Sequence, residues 1–143
     1  MEKKQNSGTN KNRVNELAKS FEDLIVWQKA HEFVLSVYRV TKDFPKEEIF
    51  GLVSQFRRAS VSVPANIAEG FGKKSKLDKL RYLNISQGSL EECRYYVLLS
   101  KDLGYLKVSS EDMLNQVVDV SKLLTGYIKA IHAGLNKEEN RSR

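Results

Sequence analysis

From about residue 21 to residue 135 the apolar side chains recur at three- and four-residue intervals, and nowhere in that span do they alternate for long as a half-buried strand would. Only two prolines, Pro45 and Pro64, fall within this span. A chain so patterned has helix-on-helix packing as its route to a core, so the expected fold class is all-α. The first helix is read over residues 23–42, with Leu24, Trp27, His31, Val34, Tyr38 and Thr41 on its apolar stripe. Ser20 or Asp23 is placed to accept an unpaired backbone N–H at its start. Pro45 suits the first turn of a second helix over residues 46–71, where Glu47 and Glu48 lie near the positive end of the helix dipole. Gly70 or Gly72 is expected to take the left-handed position at its end. Ser75 with Asp78 reads as a capping-box variant opening a third helix, which continues to Leu103 and ends at Gly104. Ser109 with Asp112 opens a fourth, whose seam is Met113, Val117, Val120, Leu124, Tyr127, Ile131 and Leu135. Short linkers make neighbouring helices antiparallel, and the expected architecture is an up-down-up-down four-helix bundle.

The flanks differ in composition. Residues 1–20 are rich in Lys, Asn, Gln, Ser and Gly and read as a mobile basic arm or an expression-type leader, without the apolar segment of a secretory signal. Residues 136–143 form a polar tail, and residues 21–135 are the bundle. No apolar run approaches the ~20 residues that span a bilayer, so no membrane partner is expected. The single cysteine, Cys93, excludes an internal disulfide and a multi-cysteine zinc site, which makes a reducing cytoplasm the simplest setting. The formal charge of +6 permits an acidic partner, nucleic acid above all.

The second helix bears on assembly. From Ala59 to Gly72 its only charged residue is Glu69. Wound at 100° per residue, it separates into a bundle seam (Ile49, Leu52, Val53, Phe56, Val63, Ile67, Phe71), a small-residue stripe (Ser54, Val61, Ala65, Ala68, Gly72) and a polar stripe (Gln55, Arg58, Ser62, Asn66, Glu69). The third helix also has two apolar faces, one with Tyr82, Ile85, Ser89, Cys93, Tyr96 and Leu103, the other with Leu83, Leu90 and Val97. One set of bundle partners does not cover this much apolar surface, so a homo-oligomer with helices two and three at the contacts is expected. Pro64 removes one helical hydrogen bond and frees the Ser60 carbonyl, which the Ser60 or Ser62 hydroxyl is placed to offset. Because the apolar period passes through Pro64 unshifted, a kink is expected rather than a break.

Candidate chemistry narrows quickly. The run Gly70-Phe71-Gly72-Lys73-Lys74-Ser75 fails as a phosphate loop, since its first glycine would fall at Ile67 and a helix precedes it. Paired Glu-x-x-His metal motifs are absent: Gln28 and Lys129 stand three residues before His31 and His132. No metal or cofactor is therefore expected. Glu69 and Glu92 each lie on an otherwise weakly charged part of their helix, as a buried general acid would, but partners such as Arg58, Asn66 and Ser89 favour a structural network. Cys93 sits on an apolar face as a small core residue, and no catalytic residue is expected. Lys73, Lys74, Lys76, Lys79 and Arg81, opposed only by Asp78, gather at the turn between helices two and three, with Arg57 and Arg58 upstream. Repeated around a ring, such a patch would contact many phosphates with little regard for sequence.

Five ordered blocks carry a family resemblance. They are Phe21-Glu22-Asp23-Leu24-Ile25-Val26-Trp27-Gln28-Lys29-Ala30, Phe44-Pro45-Lys46-Glu47-Glu48, Ser62-Val63-Pro64-Ala65-Asn66-Ile67-Ala68-Glu69-Gly70, Gly88-Ser89-Leu90-Glu91-Glu92 and Leu103-Gly104-Tyr105-Leu106. The series resembles the four-helix-bundle family of 23S ribosomal RNA intervening-sequence proteins over about residues 21–131, and more distantly the accessory variability protein of diversity-generating retroelements. The resemblance implies a bacterial, cytoplasmic, basic bundle assembled as a homopentameric ring. The distant relatives imply nucleic-acid binding beside a reverse transcriptase, which makes a protein-interaction adaptor the alternative role. The family brings no established catalytic residues. Its motif positions fall here on Gln55, Arg58, Asn66, Glu69, Gly70, Gly88, Ser89 and Glu92, read with Ser62 as polar locks and close-packing glycines between helices two and three.

Overall fold

The computed structural model describes residues 18–107 and 110–141, and side chains of the last helix as far as Gly134. The basic arm expected over residues 1–20 lies outside it, apart from its last three residues. Four α-helices form the bundle: α1 Ile25–Thr41, α2 Ser54–Gly72, α3 Lys76–Asp102 and α4 Ser110–Arg141. α4 thus runs on through most of the expected polar tail, while Ser109 and the side chain of Leu135 fall outside the described residues. Each helix packs against two others in the cycle α1–α2–α3–α4–α1. Contacts between α2 and α3 fix an antiparallel register: Gln55 meets Tyr96, Ser62 meets Ser89, and Gly70 meets Tyr82.

Helix ends follow local chemistry with some departures. Ser20 caps a short 3-10 turn, Phe21–Asp23, through a reciprocal capping box with Asp23. The chain is extended at Leu24 before α1 begins, so the first helix starts at Ile25 and not at residue 23. The second helix is not one α-helix from residue 46. A 3-10 turn, Lys46–Glu48, leads into a π-helical turn, Ile49–Val53, where the Glu48 carboxylate accepts from the Leu52 N–H at 3.0 Å. The irregularity thus lies near Gly51, while α2 runs as one helix through Pro64. The Ser60 and Ser62 hydroxyls do not turn to the Ser60 carbonyl. Ser60 Oγ donates to the Arg57 carbonyl at 2.8 Å, and Ser62 Oγ pairs across the bundle. Neither Gly70 nor Gly72 is left-handed, because Lys73 leaves α2 directly in an extended conformation. Gly104, with φ of 75°, takes that role after α3. There the Tyr105 N–H reaches back to the Ser100 carbonyl and the Gly104 N–H to Lys101, a Schellman closure.

The core draws Val26, Ala30, Phe33 and Val37 from α1, Phe56, Val63 and Ile67 from α2, Leu83, Leu90, Cys93 and Val97 from α3, and Met113, Val117, Val120 and Leu124 from α4. Two expected stripes shift. Of the stripe expected on the first helix, Leu24, Val34 and Thr41 are buried, Trp27 is half-buried, and His31 and Tyr38 are exposed. His31 stacks outside the core on Trp27, with ring centroids 5.1 Å apart. On α3 the stripe of Leu83, Leu90 and Val97 faces inward, and Ile85 and Leu103 of the other face are exposed. Each helix carries two overlapping apolar stripes, and periodicity alone does not choose between them. Just before α2, Ile49 is half exposed instead of seated in the seam, because it lies on the π-helical turn. The small-residue stripe is only partly covered by the chain's own helices: Val61 is 40% exposed, Ala65 and Gly72 lie open, and Ser54 and Ala68 are half-buried.

Cys93 has no exposed surface, and burial, followed by the nearby Glu92 carboxylate, pushes its thiol up to about 12. Iodoacetamide at neutral pH should leave it unmodified in the folded protein and label it readily in urea. The unfolded thiol ionises near its ordinary 9.0. Its contribution to stability is therefore complete below that pH and is lost as pH rises toward about 12. Fast labelling of the native protein would show the site to be open.

Candidate nucleic-acid interface

The α2–α3 turn is three residues long. α2 stops at Gly72, and the Ser75 hydroxyl accepts from the Asp78 N–H at 3.3 Å to open α3. This reversal brings Lys73, Lys74, Lys76, Lys79 and Arg81 to one end of the bundle, but they do not act alike. Lys79 Nζ donates to the carbonyls of Phe71 at 2.7 Å and Gly70 at 3.2 Å. It therefore closes the negative end of α2. Burial pulls its pKa below the usual lysine value. Lys73 Nζ lies 5.2 Å from the centre of the Tyr82 ring. Lys76 Nζ rests against α4, 2.9 Å from where a Cβ on Gly134 would stand. Lys74 and Arg81 are exposed and point the charge of the turn outward.

Arg57 and Arg58 do not join this cluster. Arg57 Nε donates to Thr41 Oγ1 at 2.9 Å and Nη2 to the Tyr38 carbonyl at 3.4 Å. Its guanidinium lies over the Tyr38 ring at 4.6 Å, so it closes the C-terminal end of α1. Along α2 it stands roughly 24 Å from Lys73, at 1.5 Å per residue. Arg58 is exposed one residue further on.

The expected polar lock forms in part. Ser62 Oγ and Ser89 Oγ share a hydrogen bond of 2.8 Å across α2 and α3. Asn66 Nδ2 donates to the Ser62 carbonyl at 2.8 Å and to its hydroxyl at 3.0 Å. Tyr96 donates to Gln55 Oε1 at 3.2 Å, and buried Ser86, missed from sequence, donates to the Val63 carbonyl at 2.9 Å. Gly70 is a close-packing glycine: a Cβ there would lie 3.2 Å from the Lys79 carbonyl oxygen and 3.3 Å from Tyr82 Cβ. Gly88 is not, since the space around it is open and α2 does not pack against its backbone. Glu69 and Glu92 are exposed and stand outside the Ser62–Ser89–Asn66 network. Partial burial and then the Glu92 charge raise the pKa of Tyr96.

Two concavities among the described residues bear on function. One, of about 370 Å³, lies at the α1–α4 end between Arg39, Asp43, Tyr105, Lys107, Asp112 and Gln116, with two cations set against two carboxylates. The other, of about 360 Å³, is a groove between α3 and α4 lined by Leu77, Leu80, Arg81, Asn84, Gln87, Ile128 and His132. Its α3 residues follow the three-four spacing of one helix face. That spacing was the available signal, but the α4 side could not be paired with it from sequence.

Helix order, antiparallel register and a cationic turn together define a basic four-helix bundle. Within that class the chain belongs to the 23S rRNA-intervening sequence protein family, whose profile matches residues 22–126. A crystal structure of a protein with unknown function from the S23 ribosomal protein family of Bacteroides thetaiotaomicron VPI-5482 is similar to it. The two share 28% identity and a TM-score of 0.67, over 73% of this chain and 96% of that one. No curated protein matches the sequence. Among the described residues, no helix is long and apolar enough to cross a membrane.

Proposed function

We propose that this protein is a non-enzymatic, cytoplasmic homo-oligomer, a pentameric ring, that binds structured RNA or DNA through the α2–α3 turn. The observation that carries this reading is the outward placement of Lys74 and Arg81 beside Lys73 at one end of the protomer. The open small-residue face of α2 supports self-association, because bare backbone lets another helix approach closely. The family's description refers to an intervening sequence of 23S rRNA, which makes a structured RNA the first probe. Fluorescence anisotropy on a labelled RNA hairpin should show affinity that falls linearly, on logarithmic axes, as salt rises. Light scattering on the same sample should give a mass several times that of one chain. Salt-independent binding, or a monomer at every concentration, would contradict the respective half of this reading.

A protein-interaction adaptor is favoured by a different observation. Phe50 is 96% exposed on the π-helical turn, with Ile49 half exposed beside it, at the end of the bundle away from the lysines. Such an apolar pair suits a protein partner, for which a reverse transcriptase is the candidate. Phe50→Asp should then abolish a pull-down complex with that enzyme and leave RNA binding unchanged. A complex that survives the substitution removes this role.

A further inference from the structure

Arg81 belongs both to the cationic turn and to the lining of the α3–α4 groove. Nucleic acid held at the turn therefore lies at the mouth of a cleft of about 360 Å³, within the range of about 300–1,000 Å³ usual for ligand sites. We propose that this groove receives an unpaired nucleobase, so that the protein selects nucleic acid with unpaired nucleotides over continuous duplex. The proposal rests on the nucleic-acid reading above and deepens it.

The lining matches that occupant by chemistry. Leu80 and Ile128 are half-buried and offer an apolar floor, and Leu77, 70% exposed, stands as an uncovered wall. A base presents a flat apolar face that such a floor and wall would shield from water. Asn84 and Gln87 each carry a carboxamide donor and acceptor in one plane, the pair of groups that a base edge can meet in bidentate fashion. Among the described residues, the ionisable side chains lining the groove are Arg81 and His132, with no carboxylate. The potential therefore favours the phosphates flanking an inserted base. The concavity at the other end contrasts with this, since Asp43 and Asp112 would repel those phosphates. A base inside a duplex has both faces stacked and its pairing edge engaged, so only an unpaired one can enter.

The test compares a labelled RNA hairpin bearing an unpaired loop with a blunt RNA duplex of equal charge, using the full chain. Deoxy versions of both form a second arm that shows whether the 2′-hydroxyl contributes. The parent should bind the looped hairpin at least about fivefold more tightly than the duplex, the low end of one bidentate side-chain-to-base contact. Asn84→Ala with Gln87→Ala should erase that preference while leaving duplex affinity and salt slope unchanged. Asn84 is exposed and Gln87 half-buried within α3, where alanine favours the helix. Equal affinity of the parent for loop and duplex overturns the base site and leaves the phosphate-binding reading intact. A double variant that keeps the preference overturns it as well. Loss of oligomer mass on substitution, with the preference unchanged, would assign the groove to a second copy of the chain instead. If neither RNA nor DNA binds at low salt, the phosphate-binding reading fails and the base site fails with it.

Discussion

Reversing the two outward cations, Lys74→Glu together with Arg81→Glu, should reduce affinity for structured RNA by on the order of a hundredfold for each protomer in contact, at about 0.1 M salt. Each phosphate neutralised by a cation releases condensed counterion, and at that salt one lost contact costs roughly tenfold. The logarithmic salt slope should shrink by about 2 per engaged protomer. In a ring the losses compound, and binding should fall below detection. Lys79 is left out of the variant because its ammonium closes α2 on the Gly70 and Phe71 carbonyls. A carboxylate there would face the negative helix end, and lost binding would then be inseparable from lost structure. Lys101→Glu is the control for bulk charge, being exposed on the same helix about 30 Å from Arg81 at 1.5 Å per residue. It should change affinity by less than about twofold. Parental binding by the double variant would show that the turn is not the site.

Phe56→Ala should lower stability by about 3–5 kcal/mol, read as a fall in the urea midpoint at unchanged slope. The side chain has no exposed surface and its ring lies 5.8 Å from that of Tyr96, so truncation leaves a cavity walled by α2 and α3. Against a usual total of about 5–15 kcal/mol, such a loss is a large fraction of the whole. Ile49→Ala provides the comparison. A single apolar stripe down the second helix makes the two positions equivalent, yet Ile49 is half exposed on the π-helical turn. Its truncation should cost about 0.5 kcal/mol or less. Equal costs would mean that something outside the protomer covers Ile49.

Much of the site was legible because it depends on neighbours along the chain. The cationic turn follows from Gly72 and Ser75 bracketing two lysines, and the Ser62–Ser89 lock joins two residues already named among the polar positions between helices two and three. What sequence reading missed was the division of labour among like residues. Lys79 and Lys74 are both lysines of one cluster, but only Lys79 is positioned to reach the end of α2. Arg57 reads as a free cation beside Arg58 until α1 is seen to end against it. Gly70 and Gly88 look interchangeable as close-packing glycines, and only the first has a helix against it.

The amino-acid order by itself determined that four helices must share one core and where the turns between them fall, but not every helix end. Periodicity, capping side chains and the paucity of proline are local properties that any window of the chain expresses. Only tertiary structure decided which of two apolar stripes on α1 and α3 turned inward, which basic side chains were drawn to helix ends, and that α3 and α4 leave a groove between them. Those outcomes depend on how far one helix slides and rotates against the next. That register is set by the summed packing of many contacts across four helices, each too weak to be read from its own residue.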